Sequence, residues 1–291
     1  MWPPSRISNN PTLEVTIETL KNRLIVAAIC VPVLLYIMVF LPAYILTAVV
    51  SIICAISSYE LQHSIGGKVN ERIAIYATFS AVLIPIGTYF DIGALVMQAV
   101  ILLLMSLMFI EAIIAYQKKR PVTFSHILLT LFGGAVIPYL LSSLISLKNM
   151  PDGSIFVLLP FVSAFVTDGG AYFAGKLLGK RKAFPLISPN KTIEGCIGGL
   201  VAGIAAMFIY GIIVVYVTLY DINFWALILY GLVGGILTEL GDVAFSLIKR
   251  EYKIKDFGHL LPGHGGILDR FDSMVFTAPA ILLLVTVVPL L

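Results

Sequence analysis

At 291 residues, with 59% hydrophobic and only 12% charged side chains, the chain has about half the charged fraction of a soluble globular domain, which is about 25%. That excludes a soluble fold, and the net charge of +3 marks no nucleic-acid-binding face. Cys30, Cys54 and Cys196 all lie inside apolar runs without paired spacing, so neither a disulfide framework nor a zinc site is implied.

Met1 to Asn10 is polar and contains Pro3, Pro4 and Arg6, which reads as a surface arm. From Thr12 the apolar residues Leu13, Ile17, Leu20 and Leu24 recur with helical spacing, while Glu14, Glu18 and Lys21 fall elsewhere on the wheel. That pattern predicts an amphipathic helix at the membrane interface. No cleaved leader is expected, because acidic residues precede the apolar run.

Spans of about 20 apolar residues then follow at about 24–40, 42–59, 73–89, 93–115, 126–147, 154–174, 193–219, 223–248 and 272–291. The expectation is an all-α polytopic membrane protein with about nine transmembrane helices. The first two helices meet at Leu41-Pro42 and form either a hairpin or one broken span. Charge favours the hairpin. With nine helices and a cytoplasmic N-terminus, Lys68, Arg72, Lys118 to Arg120, Lys176 to Lys191 and the cations from Lys249 to Arg270 all fall inside. Lys148 alone falls outside, beside Asp91, Asp152 and Asp221, and the C-terminus ends outside, as the positive-inside rule requires. The chain divides into an arm and interfacial helix (1–23), a five-helix scaffold (24–147) and a four-helix catalytic region (148–291). Glu60 and Glu111 are isolated in scaffold helices and read as structural or supporting groups.

In the second half, polar residues gather in three clusters. Asp168, Tyr172 and Lys176 recur every four residues and share a helix face. A carboxylate at membrane depth costs about 2.5–3.5 kcal/mol and is a functional candidate on that ground. The run Ser188-Pro189-Asn190-Lys191-Thr192-Ile193-Glu194 precedes a helix, where Ser188 or Asn190 could cap it and Glu194 complement its dipole. The same helix start, flanked by Lys191 and Thr192, could serve as an anion site. Gly195, Gly199 and Gly203, and later Gly231 and Gly235, predict close helix packing, within the chain or against a second copy.

The third cluster begins on a stripe of Glu239, Asp242 and Ser246 and runs through Lys249, Arg250, Lys253, Lys255 and Asp256 to Pro262-Gly263-His264-Gly265-Gly266 and Asp269-Arg270-Phe271-Asp272. Glycines let a backbone approach phosphate oxygens, lysine and arginine neutralise them, and carboxylates suit Mg²⁺ shared with a substrate phosphate. Topology alone would explain the cations but not the carboxylates.

These residues resemble the motif of the phosphatidate cytidylyltransferase (CDP-diglyceride synthetase) family. It is filled at Ser246, Lys249, Arg250, Lys255, Asp256, Gly258, Pro262, His264, Gly265, Gly266, Asp269, Arg270 and Asp272. The clusters at Asp168 and Lys191 resemble segments of the same family. The resemblance implies a metal-dependent transfer from CTP to phosphatidate, giving CDP-diacylglycerol and pyrophosphate at the cytoplasmic face of a bacterial inner membrane. It implies metal ligation by Asp242, Asp269 and Asp272, with Mg²⁺ and room for a second cation. Lys249, Lys255, Asp256, His264 and Arg270 are the catalytic candidates. Asp168, Tyr172, Lys176, Ser188, Lys191, Thr192, Glu194, Ser246, Arg250, Gly265 and Gly266 are candidates for binding CTP, phosphatidate or bilayer lipid. A homodimer is compatible with the glycine faces. Two other readings stay open: a CTP-dependent lipid or polyprenol kinase, and an ion transporter. The kinase would release CDP in place of pyrophosphate. Against the transporter, the acidic residues gather near one membrane face.

Overall fold

The computed structural model describes residue 28 and residues 31–65, 71–118, 122–260 and 265–291. The arm and interfacial helix, Lys119 and His264 lie outside the described residues. The protein is an all-α polytopic membrane protein, with eight helices long and apolar enough to cross a bilayer among the described residues and one shorter apolar helix before them.

We number them in chain order: α1 (Val31–Phe40), α2 (Ala43–Ile65), α3 (Glu71–Tyr89), α4 (Gly93–Gln117), α5 (Phe124–Asn149), α6 (Gly153–Leu178), α7 (Ile193–Thr218), α8 (Phe224–Glu251) and α9 (Leu268–Val287). The last eight match the second to ninth expected spans, and α1 is the described part of the first. Pro42 cannot continue α1. Val31 on α1 and Val49 on α2 line one cavity, whereas a straight continuation would hold them about 27 Å apart. The chain therefore turns back at Leu41-Pro42. At that end the Lys148 ammonium reaches the C-terminal carbonyls of α1, 2.5 Å from Met38 O and 3.4 Å from Val39 O, a favourable place for a cation.

Helix α5 is interrupted by a π-helical turn, Phe132–Val136. Its two glycines lie where α5 presses on its neighbours: a side chain at Gly133 would meet Leu61 of α2, and one at Gly134 would meet Ala77 and Ser80 of α3. Glu111 is likewise structural, accepting from the Tyr76 hydroxyl at 3.3 Å.

Helices α6, α7 and α8 approach through the predicted glycine faces, and the contacts are intramolecular. Gly199 faces Thr167 and Ala171 of α6, and Gly231 faces Gly203 and Ile204 of α7. These faces give no separate support to a homodimer. The departure from all-helical structure is a hairpin of β1 (Lys182–Phe184) and β2 (Ser188–Thr192), antiparallel with Lys182 opposite Thr192 and Phe184 opposite Ser188. Pro185 and Pro189 disfavour helix here. Ser188 and Asn190 are therefore strand residues, and neither caps α7. Thr192 is the cap, its hydroxyl accepting from Gly195 N at 3.1 Å.

Candidate active site

A cavity of about 1050 Å³ collects most of the predicted polar residues. Its lining is divided by element. Helices α1 and α2 supply only apolar side chains, Val31, Val33, Leu34, Ile37, Val49 and Ile53, whereas β2 and α8 supply polar ones, including Ser188, Asn190, Lys191, Asp242 and Lys249. Helix α6 supplies both kinds, Phe165 beside Asp168, Tyr172 and Lys176, and α9 brings Asp269, Arg270, Asp272 and Ser273.

Two lysines, half-buried Lys191 and buried Lys249, organise the carboxylates. Lys191 lies 2.5 Å from Glu239 and 2.7 Å from Asp242, residues one helical turn apart on α8. Burial alone would lower the pKa of this lysine; the charge of Asp242, its hydrogen bond and those of Glu239 outweigh burial and hold it above the ordinary lysine value. Lys191 is therefore a permanent cation across the physiological range. Lys249 lies 2.8 Å from Asp269 and 3.8 Å from Asp272, with its ammonium 5.4 Å from the Phe257 ring centre, a cation–π placement.

The loop after α8 folds back because Phe257 is buried, packing edge-on against Phe245. This brings Phe257 N and Gly266 N to Asp269 Oδ2 at 2.8 and 3.1 Å. Asp269 thus has both oxygens engaged, one by Lys249 and one by the loop. Gly266 gives its amide to Asp269 and not to a phosphate cradle. Neither it nor Gly265, whose φ of 83° suits only glycine, lines the cavity. Their freedom serves a tight approach to three carboxylates: a side chain at Gly266 would strike Glu60, and one at Gly265 would crowd Asp269 and Asp256.

The remaining candidates separate into two groups. Asp168, Tyr172, Lys176, Thr192, Asp256 and Arg270 line the cavity, and Asp168 meets Ser273 Oγ at 3.5 Å. Outside it, Glu194 accepts from the amides of Lys180 and Arg181 at 3.0 and 3.1 Å and secures the start of the hairpin. Arg250 donates to Ile187 O at 3.1 Å and Ile254 O at 3.5 Å, tying that hairpin to the loop after α8. Ser246 is buried off the cavity, and Lys255 is exposed and off its lining.

Among the described residues, no three His, Cys, Asp or Glu side chains are gathered as a metal-holding group. The carboxylates do present open oxygens. Asp242 Oδ2 accepts from Lys191, Asp272 Oδ1 accepts from Ser273 N while its Oδ2 stands 3.8 Å from Lys249, and Asp168 meets only the Ser273 hydroxyl among the described residues. This donor set fits Mg²⁺, which takes one or two protein carboxylates and completes its shell with phosphate and water.

Sequence reasoning passed over Ser273 and Phe257 and gave Glu60 only a supporting role. Glu60 accepts from Ile267 N and Leu268 N at 3.0 and 2.9 Å and so holds the start of α9. The available signal was a carboxylate near the end of an apolar span.

Residues 21–288 match the model described as the Cytidylyltransferase family. A Staphylococcus haemolyticus protein named phosphatidate cytidylyltransferase is 46% identical over 128 residues, covering 44% of this chain and 48% of that protein. Proteins of the same name from Staphylococcus aureus (strain COL) and Staphylococcus saprophyticus are 43% and 41% identical over 132 residues, covering 45% of this chain and 49% of each relative. The chain thus spans about half the length of the curated relatives it matches. The family match covers most of the described structure and both lysine clusters, and on it the chain belongs to the cytidylyltransferase family.

Proposed function

We propose that the protein transfers the cytidylyl group of CTP to phosphatidate, forming CDP-diacylglycerol and pyrophosphate. The observation that carries this reading is the division of the cavity lining between apolar α1 and α2 and polar β2 and α8, which suits a lipid tail and a nucleotide triphosphate meeting in one chamber.

A phosphatidate oxygen attacks the α-phosphorus of CTP, forming the new P–O bond as the bond from that phosphorus to the bridging α–β oxygen breaks. Pyrophosphate leaves with the bond's electrons. Phosphatidate is already ionised at neutral pH, so no side chain need remove a proton. Lys191, Lys249 and Arg270 line the chamber and oppose the charge of the phosphates and of the leaving group. Asp242 and Asp272 would hold Mg²⁺, with Asp168 facing them and Asp269 joining only if its loop hydrogen bonds are released. When bound, the ion supplies charge neutralisation and orientation to the phosphoryl oxygens.

We infer that the polar end faces the cytoplasm of a bacterial inner membrane. The basic residues of the hairpin and of the loop after α8 support this, with Asp91, Asp152 and Asp221 in the loops expected on the opposite face. Single cysteines at Lys182 and Asp221 should be labelled from opposite sides in oriented vesicles; labelling from one side would overturn the topology.

The activity test uses purified protein, phosphatidate, Mg²⁺ and CTP labelled at either the α- or the γ-phosphorus. Transfer of α-label to lipid with release of pyrophosphate is expected. Transfer of γ-label with release of CDP would make the protein a lipid kinase. No transfer of either label would overturn the reading.

A further inference from the structure

Helix α9 carries Asp269 and Asp272 in its first turns, so their directions depend on where the helix begins. Its first amides need acceptors, yet the cap position is apolar Ile267, with no side-chain cap hydrogen bond, and the preceding Gly265 and Gly266 have no polar side chain. The acceptor comes from α2. Glu60 is 7% exposed, and its two carboxylate oxygens each take one successive amide, Ile267 N at 3.0 Å and Leu268 N at 2.9 Å.

Three further observations show that this contact is built in. Glycines occupy both backbone positions that close around the carboxylate, and a side chain at either Gly258 or Gly266 would collide with it. Among the described residues no cation pairs with Glu60, so its charge is met by backbone amides and the positive end of the α9 dipole. Gly266, next to the contact, donates to Asp269 at 3.1 Å, so the two carboxylates together hold three successive amides of one short piece of backbone.

We propose that Glu60, which does not line the cavity, is a positioning residue for the transfer reaction. It sets the start of α9 and through it the placement of Asp272 in the chamber and the division of Lys249 between Asp269 and Asp272. The proposal rests on the function inferred above. Glu60→Gln keeps the shape of the side chain but replaces one acceptor oxygen with an NH₂ group facing an amide donor. Glu60→Asp keeps both oxygens and the charge but shortens the reach.

The test uses the full chain purified in detergent. Hydrogen exchange at the amides of Ile267 and Leu268 should speed up on the order of tenfold in Glu60→Gln, the equivalent of one lost hydrogen bond. The rate of CDP-diacylglycerol formation at saturating substrates should fall about tenfold. The Mg²⁺ concentration for half-maximal rate should rise severalfold while KM for CTP changes little, and Glu60→Asp should lie between Glu60→Gln and wild type. Wild-type exchange in Glu60→Gln would overturn the clamp. Faster exchange with unchanged rate and Mg²⁺ dependence would reduce Glu60 to a structural cap and overturn the proposal. If Glu60→Gln cannot be purified folded, the same criteria apply to Glu60→Asp. A wild-type protein that makes no CDP-diacylglycerol would sink the transfer reading, and the exchange measurement would still decide whether Glu60 holds α9.

Discussion

Two of the chamber's lysines, Lys191 and Lys249, are each shared by two carboxylates, and the two arrangements are built to different ends. Around Lys249 the arrangement is closed: Asp269 is 6% exposed, both its oxygens are engaged, and the loop amides that hold it are themselves buried. Around Lys191 it is open. The Asp242 side chain is 36% exposed, and Glu239 Oε1 is buried without a hydrogen-bond partner among the described residues. Buried polar atoms are seldom left unpaired, so this side stores an unmet demand, while the Lys249–Asp269 pair has met its own. A salt bridge whose members are all satisfied holds backbone in place; one that leaves oxygens free can take part in chemistry.

The largest losses are expected at the two carboxylates that keep a free oxygen toward the chamber, Asp242 beside Lys191 and Asp272 at the far edge of the Lys249 pair. Asp242→Asn and Asp272→Asn should each cut CDP-diacylglycerol formation on the order of a thousandfold, the rate equivalent of about 4 kcal/mol of lost charge stabilisation. Asp242→Asn should leave the melting temperature in detergent unchanged, because Lys191 keeps Glu239. Near-normal turnover in both variants would remove them from the site.

Next in size is Asp269→Asn, which should act on stability as well as rate. It leaves the buried Lys249 ammonium with only the more distant Asp272, a loss of roughly 3 kcal/mol. A thermal unfolding series would refute the contrast between the two sides if Asp242→Asn were the less stable variant. Lys191→Ala should lower the rate about a hundredfold, as expected for a preorganised cation facing developing charge. Equal rates for Lys191→Ala and wild type would make that lysine only a neutraliser of Glu239 and Asp242.

The smallest effects separate the motif from the cavity. Lys253 and Lys255 are both exposed and neither lines the chamber, so alanine at each should cost no more than severalfold, the scale of surface attraction to anionic headgroups, about 1 kcal/mol per cation. The family motif treats Lys255 as distinct. A hundredfold loss at Lys255 with none at Lys253 would show that the loop closes onto the substrate and brings this lysine inside.

The spans were legible because each is a long apolar run and most are bounded by charge, and the membrane requirement overrides weaker local preferences. The carboxylates on α8 and α9 were legible because charge inside an apolar chain has few explanations. The partition of roles among them was not. Asp269 and Asp272 look alike in sequence, and only the fold of the loop through Phe257 makes one a backbone anchor and the other a group facing the chamber. Ser188 and Asn190 were read as caps because helix starts favour such residues, while the strand pairing that moved the cap to Thr192 depends on partners several residues away. Glu60 stayed a supporting residue because its acceptor role spans 207 residues to Ile267, a relation that no local pattern encodes.

That separation also bears on how the protein comes to exist in a membrane. Synthesis runs from the N-terminus, so α2 and Glu60 are already in the bilayer when the chain that will become α9 is still being made. Until Ile267 and Leu268 arrive, Glu60 has no amides to hold, Lys249 lacks both its carboxylates, and the chamber lacks Asp272. The chamber is therefore completed at a late stage of insertion, by docking of a new helix onto a waiting acceptor, and a nascent chain stalled before that helix lacks Asp269, Arg270 and Asp272 of its lining.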